Sequence, residues 1–221
     1  MSAPSQSHFS RPPLPHLPEG KTSVLLRTPL PTPLFPDAST LSFTVHARVP
    51  IAAPPTTVLR ALLDADSWPR WNTFIPAAEI RSRGTPVPSL AGSADLLGPG
   101  TKFTMRVNMG GKSEVERGPV EKLRKTDEFL SIVEELVPER DQGRKGWRVV
   151  WNADGHFMLK ADRVQEIVET EGGGCEYVTW ESFGGWLAPV VRLAVVASLV
   201  DRFADQGKDL KAWCEGEGRG E

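Results

Sequence analysis

Two charged residues lie on neighbouring predicted strands, where an acid and a base could act together. Arg163 and Glu181 belong to strand candidates joined by a glycine-rich hairpin turn at residues 171–174. On the outer face of a sheet they would form a surface ion pair contributing well under ~1 kcal/mol. On the inner face they would anchor a ligand carbonyl or hydroxyl, or Glu181 would act as a general acid. We favour the outer face, and both placements stay open.

Histidine is the side chain best suited to proton transfer near neutral pH. His46 shares a strand face with Thr44 and Arg48, so we expect it to face solvent and not to be catalytic. His156 follows Gly155 at a strand end and can face a pocket. The candidate catalytic residues are therefore Glu181 and His156.

Motifs for metal, phosphate and nucleophilic chemistry are absent or incomplete. Residues 110–113 end like a phosphate-binding loop, but Arg106 stands where that loop needs a glycine. Cys175 and Cys214 have no motif spacing, and the sequence contains no His-x-x-x-His, Cys-x-x-Cys or acidic calcium-binding pattern. We predict no metal site and no cofactor.

Large, soft side chains are the strongest indication of a binding site. They are candidates for the concave face of a curved sheet, with Trp71 on a short helix above it: Phe103, Met105, Trp151 and Trp180. Such a lining suits a flat hydrophobic ligand, with Arg163 as a polar anchor. A solidly packed core is the alternative for the strand residues and for Trp71, and both interpretations stay open.

The elements that would position these residues follow from periodicity. Residues 41–49 alternate as a strand, two short helices follow, and about six further strand candidates run from residue 77 to residue 183. A helical pattern from residue 187 to residue 214 predicts one long last helix, with Gly207 inside it as a possible bend. Strands followed by a helix indicate an α+β domain with one antiparallel sheet.

Composition excludes several classes of function. With 221 residues and a net charge of −2, the chain has no general attraction to nucleic acid or anionic membranes. The most apolar run, residues 186–200, is too short to span a bilayer and contains Arg192. The sequence shows no secretory signal, so we expect a cytoplasmic protein without integral membrane association.

Prolines divide the chain into parts. We predict a proline-rich, largely irregular tail at residues 1–36, a folded domain at 37–215 and a disordered tail at 216–221. We favour an irregular tail or an arm along the surface over a Pro-x-x-Pro docking motif, because Arg11 fits neither common register of such a ligand. We expect residues 1–20 to contribute little stability.

Four stretches carry a family resemblance: residues 49–55, 68–72, 162–167 and 177–189. They resemble the START-like (SRPBCC) superfamily, which includes polyketide cyclases/dehydrases and lipid-transport domains. The resemblance covers residues 41–214 and implies a helix-grip fold, in which a curved antiparallel sheet wraps around a long C-terminal helix and encloses an apolar cavity. No catalytic set is shared across that superfamily, so it assigns no residue a role.

Three functions remain open at this stage. The first is binding of a small hydrophobic molecule, such as a lipid or polyketide, between the sheet and the last helix. The second is a polyketide cyclase or dehydratase that uses an acid in the pocket. The third is a partner-interaction module that uses the apolar residues 186–200.

Overall fold

A single antiparallel sheet of eight strands organises the molecule. The computed structural model describes residues 9–90, 92–111, 118–154 and 158–216. Across the sheet the strand order is β1-β2-β8-β7-β6-β5-β4-β3. The strands are β1 (Ser23–Leu26), β2 (Leu41–Ile51), β3 (Ala77–Ser82), β4 (Lys102–Val107), β5 (Arg124–Leu136), β6 (Gly146–Ala153), β7 (Lys160–Glu169) and β8 (Cys175–Gly184).

Two short helices follow β2, as the sequence predicts. Helix α1 (Pro55–Leu63) begins with a proline, which loses no hydrogen bond in a first turn. It buries Val58, Leu59, Leu62 and Leu63 against the inner face of the sheet. Helix α2 (Trp68–Trp71) is one turn long and buries both of its tryptophans.

The last helix, α3 (Ala188–Glu215), is continuous over 28 residues. At 1.5 Å per residue this length is about 42 Å, enough to cross the sheet. Its residues Leu199, Phe203 and Leu210 belong to the main core, together with the inward side chains of β2 and β8. The predicted α+β helix-grip fold is confirmed.

The outer face of the sheet is also covered, by the residues that precede β2. Leu30 packs with Val150, Val164 and Trp180 in a second apolar cluster, to which Phe9 and Leu14 add partly buried side chains. The Leu30 backbone is fixed on both sides: its N–H donates to Thr44 Oγ1 (2.9 Å), and its carbonyl accepts from Ser182 Oγ (2.7 Å). These residues, 9–40, form an N-terminal arm that packs on the sheet. The arm includes the strand β1, although the sequence predicts that residues 1–36 are largely irregular.

A buried ionic network lies on this outer face. Arg148 Nε donates to Glu166 Oε1 (3.0 Å), and both side chains are inaccessible to solvent. Arg11 from the arm donates to the other oxygen of Glu166 (2.9 Å). Because both Glu166 oxygens are matched by guanidinium groups, this buried charge is compensated and serves to fix the arm.

Two further findings concern the chain as a whole. Among the described residues, the helices include none whose length and apolarity would suit a bilayer crossing. Of the predicted C-terminal tail, 216–221, the structure describes Gly216 alone, with a left-handed φ of 88° that ends α3.

Candidate functional site

A cavity of about 270 Å³ lies between the inner face of the sheet and α3. Its walls are mostly apolar. Their side chains come from three strands (β4, β6 and β8), the loop after α2, the residues just before β7 and α3, and the first half of α3: Phe74, Ile75, Met105, Val107, Trp151, Leu159, Phe183, Leu187, Val191 and Leu199. Two small residues, Ala153 and Ala161, line its floor. Asn152 on β6 lies opposite Asp162 on β7. Because the strands are antiparallel, Ala153 and Ala161 are the next residues beyond this pair on the two strands. Their missing side-chain volume helps leave the space open.

The cavity has one polar wall. Arg163 and Glu181 lie directly opposite each other on β7 and β8, and both line the cavity. Glu128 on β5 lines it as well, opposite Ala153 on β6. The favoured placement of Arg163 and Glu181 on the outer face is therefore wrong: the register that puts Phe183 into the cavity also puts Glu181 there, two residues away on the same strand.

Arg163 is held rigidly. Its Nε donates to Thr179 Oγ1 (3.2 Å), and one terminal nitrogen donates to Gln206 Oε1 on α3 (2.5 Å). Its guanidinium carbon lies 4.1 Å from the centroid of the Phe203 ring. Hydrogen bonds to two elements and an aromatic stack fix the position of this positive charge.

Burial changes the acidity of both cavity carboxyls. It raises the pKa of Glu181 to about 7, and nearby Arg163 opposes the rise. Burial raises the pKa of Glu128 well above its ordinary value, and the charge of Glu181 adds to that rise. Near neutral pH, Glu181 therefore populates both its neutral and its ionised form, whereas Glu128 favours the neutral form; a neutral carboxyl can donate a hydrogen bond.

The predicted binding residues fall into three groups. Met105, Trp151 and Arg163 line the cavity. Phe103 and Trp71 are buried in the core outside the lining: Phe103 lies edge-on to Trp151 with ring centroids 5.9 Å apart, and Trp71 donates to Ser67 Oγ (3.1 Å).

Trp180 forms the third group, and its predicted place on the concave face is wrong. It lies on the outer face, where its indole N–H donates to the Pro31 carbonyl (3.1 Å) beneath the arm. Successive strand residues point to opposite faces, so Glu181 in the cavity requires Trp180 outside it.

The two histidines also differ from each other. His156, a catalytic candidate, lies outside the described residues. His46 is fully buried, and its Nδ1 lies 3.0 Å from the Thr179 carbonyl oxygen, so the expectation that it faces solvent is wrong. Burial lowers the pKa of His46, which favours the neutral ring. It does lie on the outer face as expected, but that face is covered.

Sequence reasoning missed Glu128, Phe74 and Phe183 as cavity residues. For Glu128 the misleading signal is Phe129, which looks like an inward residue. Phe129 instead faces outward, with Lys102 Nζ 5.9 Å from its ring centroid. Counting back by twos from the buried Leu130 would have put Glu128 on the inner face.

Exposed apolar side chains surround the start of α3. Trp186 and Leu193 are each 91% exposed, and Val190 is 60% exposed. Leu187 is exposed and lines the cavity, so this patch borders the cavity rim.

Other potential sites are less developed. An open groove of about 440 Å³ lies between residues 50–54 and the β7–β8 turn, but it has a larger polar share than the cavity. Within the described ranges, His, Cys, Asp and Glu side chains form no group of three that could hold a metal ion.

Sequence comparison places the chain among known proteins. The model of a family described as "polyketide cyclase / dehydrase and lipid transport" matches residues 42–215. A curated relative from Penicillium oxalicum, "Oxopyrrolidines biosynthesis cluster protein O", is 34% identical over 180 residues, covering 76% of this chain and 84% of the relative.

Solved structures share the fold at low sequence identity. A START superfamily protein from Mycobacterium smegmatis has a TM-score of 0.51 at 15% identity, covering 79% of this chain and 98% of its own. Human StAR-related lipid transfer protein 5 has a TM-score of 0.52 at 11% identity, covering 89% and 86%. At these identities the similarity supports the fold and nothing finer.

Proposed function

The chain belongs to the polyketide cyclase/dehydrase and lipid transport family, and on that premise we propose that it binds a small, mainly apolar organic molecule between the sheet and α3. The observation that carries the proposal is the cavity of about 270 Å³ with apolar walls and one polar side. Burying apolar surface contributes about 25 cal/mol per Å². A few polar groups then fix the orientation of the ligand.

The size of the cavity limits the ligand. Pockets for drug-sized ligands typically span about 300–1,000 Å³, so a space of about 270 Å³ suits a molecule of one to three rings or a short acyl chain. Large two-chain lipids do not fit without expansion. The name of the Penicillium oxalicum relative supports a ligand from small-molecule biosynthesis.

Filling the cavity tests this proposal. Ala161 lines the floor, and Ala161→Leu would add three carbons into the space. We expect the affinity for an uncharged, environment-sensitive apolar dye to fall at least tenfold. Ala197→Leu, at an exposed position of α3, is the matched control and should leave the affinity unchanged. Unchanged dye binding in Ala161→Leu, or no saturable binding by the wild type, would overturn the proposal.

A second candidate function is acid–base catalysis on the bound molecule. It is favoured by one observation, the half-buried Glu181 with its pKa raised to about 7 at the wall of the cavity. A ketone probe, 2-acetylnaphthalene, would exchange its methyl protons for deuterium in D₂O if a cavity carboxylate removes a proton, exchanges it with solvent and delivers a deuteron in its place. NMR should show exchange catalysed by the wild type and lost in Glu181→Gln with binding retained. No catalysed exchange of this probe by the wild type would leave simple binding as the better supported function.

A further inference from the structure

Two acids and one base share the polar wall of the cavity. Glu181 faces Arg163 across adjacent strands, and Arg163 in turn faces Trp151 on β6. Glu128 lies on β5, the strand next to β6, where it is opposite Ala153 on β6 and Phe103 on β4. The three charged groups therefore surround the small floor of the cavity. The cation lies directly opposite Glu181 on the neighbouring strand, and its charge also reaches Glu128.

The charges on this wall do not balance if both acids are ionised. Glu128 and Glu181 would then carry two negative charges against the single positive charge of Arg163, inside a largely apolar space. Interaction energies between charges are much larger there than in water. Retaining one proton makes the group neutral, which is the cheaper state for a buried cluster.

The proton belongs mainly on Glu128. Glu181 has Arg163 as its direct neighbour, which favours its ionised form. Glu128 has an alanine and a phenylalanine as strand neighbours. Its burial and the negative charge of Glu181 oppose its ionisation and outweigh the positive charge of Arg163. Two acids in unequal environments divide into a neutral and an ionised partner.

Other charged groups near the pair do not change this assignment. Arg124 and Lys125 line the cavity on β5, but both are exposed to solvent, so their charges are screened. Asp162 and Asp127, next to Arg163 and Glu128 in sequence, add negative charge that opposes ionisation of Glu128. Tyr177 on β8 donates to Gln165 Oε1 (2.7 Å), and α3 contributes the neutral Gln206.

We infer that the cavity selects uncharged, mainly apolar ligands that carry a carbonyl group, with the neutral carboxyl of Glu128 donating a hydrogen bond to the carbonyl oxygen. Ketones, esters and lactams meet that description. Carboxylates are rejected because they would add a second negative charge beside Glu181. Arg163 does not rescue them, because its Nε and one terminal nitrogen are held by Thr179 and Gln206, its guanidinium lies against the Phe203 ring, and its charge is already opposed by that of Glu181. This inference rests on the proposed function and gives its ligand a chemical class.

Three naphthalene probes of similar shape test it: 2-isopropylnaphthalene, 2-acetylnaphthalene and 2-naphthoate. Equilibrium dialysis against the full chain at pH 7.5 measures each affinity. We expect the ketone to bind roughly 3- to 10-fold more tightly than the hydrocarbon, the range that one neutral hydrogen bond supplies. We expect the naphthoate to bind at least tenfold more weakly than the ketone.

The outcomes separate this inference from the proposed function. If the ketone and the hydrocarbon bind equally well, the carbonyl inference is wrong and the proposed function stands. If naphthoate binds as tightly as the ketone, Arg163 is the anchor and the inference is wrong. If none of the three binds saturably, the proposed function fails, and this inference fails with it.

Variants of Glu128 locate the donor. Glu128→Met keeps the shape but removes the donor, so the preference for ketone over hydrocarbon should disappear. Glu128→Gln keeps an N–H donor and should retain the preference. Glu135→Met, at an exposed position of the same strand, should behave as the wild type. Thermal unfolding verifies that each variant is folded, and a ketone preference that persists in Glu128→Met would overturn the role of Glu128.

Discussion

Gly207 on α3 lies against Val49 on β2 so closely that a Cβ atom at position 207 would stand 2.6 Å from Val49 Cγ2. Glycine inside a helix is about 1 kcal/mol less favourable than alanine. The sequence suggested a bend at this position, but α3 is continuous from Ala188 to Glu215. The glycine instead allows the helix to approach the sheet.

Gly207→Ala should therefore destabilise the protein, although alanine is the better helix former. Overpacking a tight contact costs about 1–3 kcal/mol, and we expect a loss of about that size less the gain in helix propensity. Urea unfolding measures it. Val49→Ala removes the opposing methyl groups, so the double variant should lose less than the sum of the two single variants. Equal or higher stability in Gly207→Ala would contradict the close approach.

The inner side of α3 should carry much of the domain's stability. Phe203 is fully buried, with its ring centroid 6.0 Å from that of Phe74. We expect Phe203→Ala to lower the free energy of unfolding by about 3–5 kcal/mol, as for other large-to-small core changes. Leu193→Ala, on the same helix but 91% exposed, should change it by less than about 0.5 kcal/mol. A loss below about 1 kcal/mol for Phe203→Ala would show that this side of the helix is not core.

The N-terminal arm should also contribute to stability, beyond what its composition indicates. Leu30 is 9% exposed and packs on Trp180, whereas Leu34, four residues later, is 50% exposed. Leu30→Ala should cost about 2–4 kcal/mol and Leu34→Ala less than about 0.5 kcal/mol in chemical unfolding. Equal small effects would mean that the arm is not held on the sheet in solution. Contacts of Phe9 and Arg11 lead us to expect a measurable loss on deleting residues 1–20 as well, contrary to the composition argument.

Periodicity predicted β2 and α3 well because apolar side chains recur on one face of each. The helix predicted at residues 187–214 is α3 at Ala188–Glu215, and the strand predicted at 41–49 is β2 at Leu41–Ile51. β1 escaped notice because its four residues, Ser23–Leu26, are too few to show alternation and lie among prolines. Its position depends on pairing with β2, which is a long-range contact.

The cavity was harder to predict, and the reason is the arm. Alternation shows which residues of a strand share a face, but not which face points inward. An uncovered outer face would be polar and would decide the question. Here the arm buries Trp180 on the outer face of β8, so both faces of that strand carry large apolar side chains. Register between strands, which sequence periodicity does not supply, then placed Glu128 and Glu181 around the same space.

The two acids of the cavity wall should make stability depend on pH in a direction opposite to that of ordinary paired carboxylates. The pKa of Glu181 is about 7 in the folded protein, above its ordinary value of 4.5, so folding favours the protonated form. The stability that its proton contributes is fully present below about pH 4.5 and is lost as the pH rises through about 7. Removing the titration should therefore help most at high pH.

Glu181→Gln should match the wild type in stability near pH 4 and exceed it at pH 8 by roughly 1–3 kcal/mol, an order of magnitude that follows from 1.36 kcal/mol per pKa unit and is reduced by solvent reaching the cavity. Urea unfolding at pH values from 4 to 8 measures the difference between the two proteins, which cancels the titration of distant groups. Glu128 titrates in the same cluster, and Arg163 lies opposite Glu181, so Glu128→Gln should show a difference of the same sign. Glu135→Gln, exposed on β5, should show a difference that does not vary with pH. A constant difference for Glu181→Gln across this range would mean that Glu181 is an ordinary solvated carboxylate and that the wall of the cavity is not an acid site.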